Sequence, residues 1–455
     1  MKNPLRSLGL SWARWRTLAV AVLMAALLSQ GLPARAADGS LVLSALQVLE
    51  QHYAVPVHPA DLLNAALATL RAATHESTAM LPDIPSADTE QQADAQFLAE
   101  FSRAAQAGPQ SETQLAYAAT QGMLQSLHDS HTYFLQPAQL QALHQQMRGG
   151  PAYTGIGIRI IGRTDSAGVR WVFVEDVMPG SPAEAAGIQR FDRIVQVGNT
   201  SLRNAAPADV SRVVQGPAGS AVSVAVQRGG RVLRMSLVRA PIRTAPAEAR
   251  FIQPGVAYVR LFQFSQGAGR VLASAVGELA MQAPVHAVIL DLRGNPGGLI
   301  TEAARVGSLF LPPGTALAQV TDRQDGPSVL RAAGPAPFAE GPLAVLVDGG
   351  SASAAEIVTG ALKDYHRATI VGERTAGALG GAVDVALPEG GMSVTVEQIT
   401  TPRGNQVEGV GISPDLAITL TEADMERGND TQFQAALRAV ATPGARHSQP
   451  ARHRL

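Results

Sequence analysis

The sequence predicts a multidomain α/β protein with a helical N-terminal region, a small inserted β-rich domain with two helices, and a larger α/β core. Three observations predict it. Apolar residues such as Leu43, Leu46, Leu49 and Leu62, Leu63, Ala66, Leu67 recur at helical spacing between Leu41 and about Leu140. From Tyr153 to about Arg243 short β-rich runs are separated by turn signals. From Gly255 onward buried-strand runs alternate with helical segments, the pattern of a largely parallel sheet.

The chain has 455 residues, more than one typical domain. It is 46% hydrophobic and 16% charged, a composition that can bury a core. Thirty-six basic residues balance thirty-seven acidic ones, which gives no electrostatic case for nucleic acid or an anionic membrane as partner. The absence of cysteine excludes disulfides, zinc–thiolate sites and a cysteine nucleophile. No metal or organic cofactor is implied.

Lys2, Arg6, Arg14 and Arg16 precede an apolar run from Leu18 to Leu28, followed by Ala34-Arg35-Ala36. Residues 1–36 read as a secretory signal peptide cleaved after Ala36, so the protein is expected to be exported, periplasmic or extracellular. If the segment is not cleaved it is a membrane anchor; no later stretch could span a membrane. Residues 37–150 form the helical region. Within it, Thr74 to Gln114 reads as a loop plus a surface helix, and a further helix from about Leu115 to Leu127 leads into His128-Asp129-Ser130-His131-Thr132. In residues 151–243 the strands include Gly157-Ile158-Arg159-Ile160 and Trp171-Val172-Phe173-Val174, with helices expected from Ser181 to Gly187 and from Ala206 to Val214. In residues 244–425 the strand runs are Val256–Val259, Val288–Leu292, Ala344–Val347 and Thr369–Gly372. Residues 426–455 are expected to hold a C-terminal helix and a disordered tail after about Pro443.

Chemistry concentrates where core strands end. Val347-Asp348-Gly349-Gly350-Ser351-Ala352-Ser353-Ala354-Ala355-Glu356 runs from a strand through glycines into a helix. A serine there sits among free backbone N–H groups able to stabilise an oxyanion, although serine is also a favoured helix cap. Leu290-Asp291-Leu292-Arg293-Gly294-Asn295-Pro296-Gly297-Gly298 and Gly372-Glu373-Arg374-Thr375-Ala376-Gly377 are two more strand-to-turn segments.

Together these segments, with Gly409-Val410-Gly411-Ile412-Ser413-Pro414-Asp415, resemble the S41 peptidases, which comprise C-terminal-processing and tricorn-like proteases. The resemblance covers roughly Leu41 to Leu420. It implies a core of the ClpP/crotonase type, Ser353 as nucleophile, Ser351 as structural, and an oxyanion hole from the N–H of Ala354 and one from the Gly297-Gly298 turn.

One position departs from the C-terminal-processing branch. Its general-base lysine would fall at Ala378. The chain has only Lys2 and Lys363, and Lys363 lies ten residues along the helix opened by Ser353, about 15 Å of rise. Of the ten histidines, His131 lies in Asp129-Ser130-His131-Thr132, which resembles the tricorn-like segment carrying a catalytic Ser-His pair. That resemblance implies His131 as base, Glu408 as its orienting carboxylate and Ser130 in support. His131 also reads as a helix C-terminal cation, and Glu408 as a solvated loop carboxylate.

Tyr153-Thr154-Gly155-Ile156-Gly157-Ile158, Pro179-Gly180-Ser181-Pro182 and Asp192–Val197 resemble a bacterial PDZ domain. The resemblance implies that Gly155, Ile156, Gly157 and Ile158 take a peptide C-terminus beside an exposed sheet edge; the other reading is a PDZ that only packs and gates. The expected partners are exported proteins or peptides, with homo-oligomerisation left open. The function that follows is an exported serine endopeptidase acting through an acyl-enzyme on unstructured C-terminal segments. The alternative is an inactive peptide-binding relative, dead because Ala378 replaced the lysine.

Overall fold

A computed structural model describes residues 38–77, 80–86, 89–147, 153–242 and 246–441. The expected signal peptide and C-terminal tail lie outside these residues. The chain divides into two compact units, one formed by residues up to 140 together with 382–395, the other by residues 141–381 and 396 onward.

The first unit is helical: α1 (Gly39–His52), α2 (Pro59–Thr74), α3 (Glu90–Ala107) and α4 (Glu112–Gln125). The helices bury one face each, including Leu41, Leu49, Leu63, Leu67, Leu70, Phe97, Leu115 and Met123. Thr89 with Gln92 and Ser111 with Gln114 form reciprocal capping boxes that start α3 and α4. A surface helix was expected where α3 lies. It instead buries Ala93, Phe97, Phe101 and Ala104, because an Ala/Gln-rich surface face hides a period of four between two phenylalanines. Strand β1 (Tyr133–Leu135) follows, antiparallel to residues 391–393, and then α5 (Pro137–Met147).

The second unit holds a PDZ domain and the larger core. After the short strand β2 (Tyr153–Gly155), β3 (Ile158–Thr164), β4 (Arg170–Val177), β5 (Arg193–Val197), β6 (Thr200–Ser201), β7 (Ala221–Arg228) and β8 (Arg231–Val238) build one sheet in the order β3-β4-β5-β7-β8, with β6 on β5. Its helices, α6 (Pro182–Ala185) and α7 (Pro207–Val214), fall where the sequence predicts them. Ile156, Val172, Val174, Ile194, Val210, Val224 and Val226 form the domain's own core. Strand β3 is the sheet edge, and β9 (Ala240–Ile242) returns to pair with β2.

The larger core is a six-stranded sheet. Strand β10 (Ala247–Gln253) is antiparallel to β11 (Val256–Leu261). Strands β11, β12 (Ala287–Asp291), β15 (Leu343–Val347), β16 (Thr369–Gly372) and β19 (Leu416–Ala417) are parallel neighbours. Because side chains alternate across a strand, Val288, Leu290, Leu343, Val345 and Val347 face α8 (Ala268–Gln282), α9 (Ile300–Gly307) and α10 (Ala354–Asp364). Tyr258, Ile289, Ala344, Leu346 and Val371 face Ala435, Ala436 and Val440 of the C-terminal helix α12 (Thr431–Ala441). Both faces are covered, which explains why these strands read as unbroken apolar runs. The remaining elements are β13 (Ala316–Asp322), β14 (Gly326–Arg331), β17 (Gly380–Ala386), β18 (Gly391–Thr400) and α11 (Glu422–Glu426).

Candidate active site

Three adjacent parallel strands end at one edge of the core sheet, and each delivers a motif there. Strand β12 leads into the turn 293–298, β15 into the loop 348–353, and β16 into the turn 373–378. The crevice outside the carboxyl ends of parallel strands is where α/β folds place ligands.

Ser353 stands at the junction of the middle loop and α10, with φ 53° and ψ −116°. A non-glycine residue held at positive φ costs on the order of 1–3 kcal/mol, a cost that persists only where the surroundings impose it. Those surroundings are explicit. Ser353 N–H donates to Ala378 O at 2.8 Å and to Glu356 Oε2 at 3.0 Å. Its carbonyl accepts Glu356 N–H at 2.7 Å, and its hydroxyl makes no capping hydrogen bond. The cap reading of this serine is therefore not what its side chain does. Ser351 is fully buried; its hydroxyl donates to Leu292 O at 2.8 Å and accepts Asp348 N–H at 3.0 Å.

The glycine turn lies directly against this serine. A Cβ on Gly297 would fall 2.6 Å from Ala352 O, 2.7 Å from Ser353 Cβ and 2.9 Å from Ala354 N. Only glycine, which also tolerates the φ of 90° found there, allows that approach. Gly297 N–H is spent on Asn295 Oδ1 at 2.9 Å. Asn295 also accepts Ala352 N–H through its carbonyl at 2.9 Å and donates to Leu261 O at 2.7 Å, so it welds two turns to the sheet. Ala354 is the first residue of α10, where a backbone N–H has no partner within the helix.

Glu356 carries a role that the motif alone does not reveal. It is fully buried and accepts four donors: Thr375 Oγ1 (2.6 Å), Gly377 N–H (2.8 Å), Ala378 N–H (3.0 Å) and Ser353 N–H (3.0 Å). The signal that could have found it is its position, three residues after a helix-opening serine. Asp291 and Arg293 likewise serve the scaffold. They pair with each other at 2.6 Å, and Arg293 also grips Asp430 at 2.9 Å, fastening the turn to the approach to α12.

The lysine of the family pattern has no substitute in this unit. Lys363, at the far end of α10, donates to Ser413 O at 2.8 Å and pairs with Asp415 at 2.6 Å. Glu408 lies near the serine through the intervening turn: its Oε2 accepts Leu379 N–H, next to the Ala378 whose carbonyl binds Ser353 N–H.

Ser130 and His131 belong to the first unit. His131 lies past the end of α4, in the turn before β1, and so does not cap the helix. Ser130 Oγ is 3.2 Å from His131 Nδ1, and His131 N–H donates to Asp129 Oδ1 at 2.9 Å. Burial pushes the Asp129 carboxyl up, but hydrogen bonds from Thr395, His131, Thr132 and Tyr53 together hold it below the usual carboxylate range. The segment is thus anchored by an ionised aspartate.

In the PDZ domain, Ile156 departs from the expectation that it lines a ligand pocket. Its side chain is fully buried in the domain core, at the bend between β2 and β3. Ile158, Ile160, Val214 and Gln215 instead line a cleft of ≈ 710 Å³ that continues past Phe262 to Pro296 of the glycine turn.

Comparison with known proteins agrees with this architecture. Residues 255–418 match the profile of peptidase family S41, and residues 173–228 match that of the PDZ domain. A carboxyl-terminal-processing protease of Synechocystis sp. is 33% identical over 333 residues, 70% of this chain and 76% of that protein. The chain belongs to peptidase family S41. The S41 chain is also 33% identical to the chloroplastic carboxyl-terminal-processing peptidase 2 of Arabidopsis thaliana, over 68% of its own length and 61% of the plant protein. A solved photosystem II D1 C-terminal processing protease matches 89% of this S41 chain and 97% of its own, with TM-score 0.54 and 28% identity. The S41 protease structure from Bacteroides fragilis, at TM-score 0.57 and 17% identity, shares the fold.

Proposed function

We propose that this S41 member is an exported serine endopeptidase that cleaves unstructured C-terminal segments, with Ser353 as nucleophile and His131 as general base. The setting of Ser353 carries the proposal: a hydroxyl not spent on capping, on a strained residue at a helix N-terminus, with a glycine turn packed against it. His131, held through Nδ1 by Ser130, uses Nε2 to take the Ser353 proton as Oγ attacks the peptide carbonyl. Ala354 N–H and Gly298 N–H receive the oxyanion, since Gly297 N–H is already engaged. The imidazolium returns its proton to the leaving amine, and water then hydrolyses the acyl-enzyme with His131 again as base. Glu408 balances the imidazolium charge.

The PDZ cleft takes the substrate C-terminus by strand addition to β3, whose outer edge is unpaired within its sheet. The names of the Synechocystis and Arabidopsis relatives, both processing peptidases, support this substrate class. Export rests on the sequence of residues 1–36; among the described residues no helix is long and apolar enough to cross a membrane.

The test is labelling by a fluorophosphonate and hydrolysis of an unfolded protein. Wild type is expected to do both, Ser353→Ala neither, and His131→Ala to lose on the order of 10⁴-fold in rate. Undiminished hydrolysis by His131→Ala would remove His131 from the mechanism. Ala378 in the lysine position supports a second reading, a peptide-holding protein without turnover; it predicts peptide binding with no labelling at Ser353.

A further inference from the structure

Two buried carboxyls have no part in the proposed chemistry. Glu175 lies on β4 of the PDZ sheet and Asp348 just beyond β15; they are 9% and 5% exposed. Asp348 Oδ1 accepts Gly294 N–H at 2.7 Å and Gly350 N–H at 2.9 Å, with Ser351 Oγ 3.3 Å away. It therefore clasps the glycine turn to the loop leading to Ser353. The two backbones touch there: a Cβ on Gly350 would lie 2.8 Å from Gly294 Cα. Glu175 closes on the same spot, with Oε2 3.0 Å from where a Gly294 Cβ would sit.

The two carboxyls meet at Gly294. Carboxylates only accept, so a hydrogen bond between them exists only while one of them holds a proton. The surrounding charges decide which. Arg159 of β3 lies 3.2 Å from Glu175 and donates to Arg293 O at 2.7 Å. Arg260 of β11, 3.4 Å from Asp176, adds a second positive charge. The other nearby ions are matched among themselves: Arg293 with Asp291 and Asp430, Arg190 with Asp430, and Arg163 with Glu373. Burial opposes the charge on Glu175, but Arg159 and Arg260 outweigh it and keep that group ionised. Burial, and then the Glu175 charge, push the Asp348 carboxyl up to about 6.

We propose that Asp348 and Glu175 are positioning residues whose carboxyl–carboxylate hydrogen bond ties the PDZ sheet to the turn bearing Gly298 and the loop bearing Ser353. The tie depends on pH. Asp348 is raised above its ordinary value, so the proton-bound, tied state is favoured at low pH and is lost as pH rises through about 6. Above that, two buried negative charges face each other and the PDZ strand is repelled from the turn.

The test is amide hydrogen exchange on the full chain, corrected for intrinsic rates, from about pH 5 to about pH 8. This readout does not require hydrolysis, so its failure is separable from failure of the peptidase reading. In wild type, protection of residues 173–176 of the PDZ strand is expected to fall about tenfold as pH passes about 6. Glu175→Gln and Asp348→Asn supply the bridging hydrogen from an amide that does not titrate, and both are expected to stay protected across the range. Should one variant fail to fold, the other decides. Unchanged protection in wild type, or a wild-type pH course in the folded variants, would overturn the proposal.

Discussion

At the scale of single residues, two serines two positions apart use their hydroxyls differently, and their variants separate the roles proposed for them. Ser351→Ala leaves the buried Asp348 N–H without its acceptor and is expected to cost about 1–3 kcal/mol in urea unfolding while fluorophosphonate labelling persists. Ser353→Ala removes labelling and relieves no buried donor. Gly297→Ala is expected to lower activity further than Ser351→Ala does, because its Cβ would meet backbone atoms of Ala352 and Ala354 that cannot swing aside. The measurement is labelling rate beside thermal stability, with the rate falling further than stability explains.

Among the elements, α10 matters most, since its N-terminus is shared by the serine loop and the turn after β16. Glu356 unites them by accepting four buried donors. Glu356→Ala strands all four and is expected to destabilise the fold by more than about 3 kcal/mol. On the neighbouring helix Glu302 does a smaller version of the same task, accepting Gly267 N–H at 3.0 Å and Gly269 N–H at 2.9 Å at the start of α8. Glu302→Ala is expected to cost about 1–2 kcal/mol, read as a lower urea midpoint at unchanged slope.

Across the whole molecule, stability should depend on pH through buried carboxylates of the second unit. Burial opposes the charge on Asp291 and Asp430, but Arg293 and its neighbours hold Asp291 well below the ordinary range and Asp430 below it. Groups with depressed values contribute stability that is fully present above about pH 4 and lost as pH falls further. Unfolding free energy measured from about pH 5 down to about pH 2 is therefore expected to drop, and Asp430→Asn to flatten part of that drop.

The helical first region, the alternating strands and helices of the core, and the PDZ strands were legible because each follows a local rule of periodicity or turn chemistry. The proposed nucleophile was legible as a motif, but its competition with a capping role was not, because capping depends on where one hydroxyl points. The burial of α3 was obscured by its Ala/Gln-rich composition, and the inward turn of Ile156 by its place at a bend between two strands, where no periodicity applies. By itself the sequence determined which residues could perform chemistry and that the expected lysine is missing. Only the tertiary structure decided which glycine's backbone donor is already engaged, which glutamate organises the serine, and which two buried carboxyls meet at one glycine. Those outcomes depend on contacts distant in the chain, down to Asn295, which takes the Gly297 N–H while anchored to Leu261 O, and there desolvation and hydrogen bonding are set by three-dimensional neighbours.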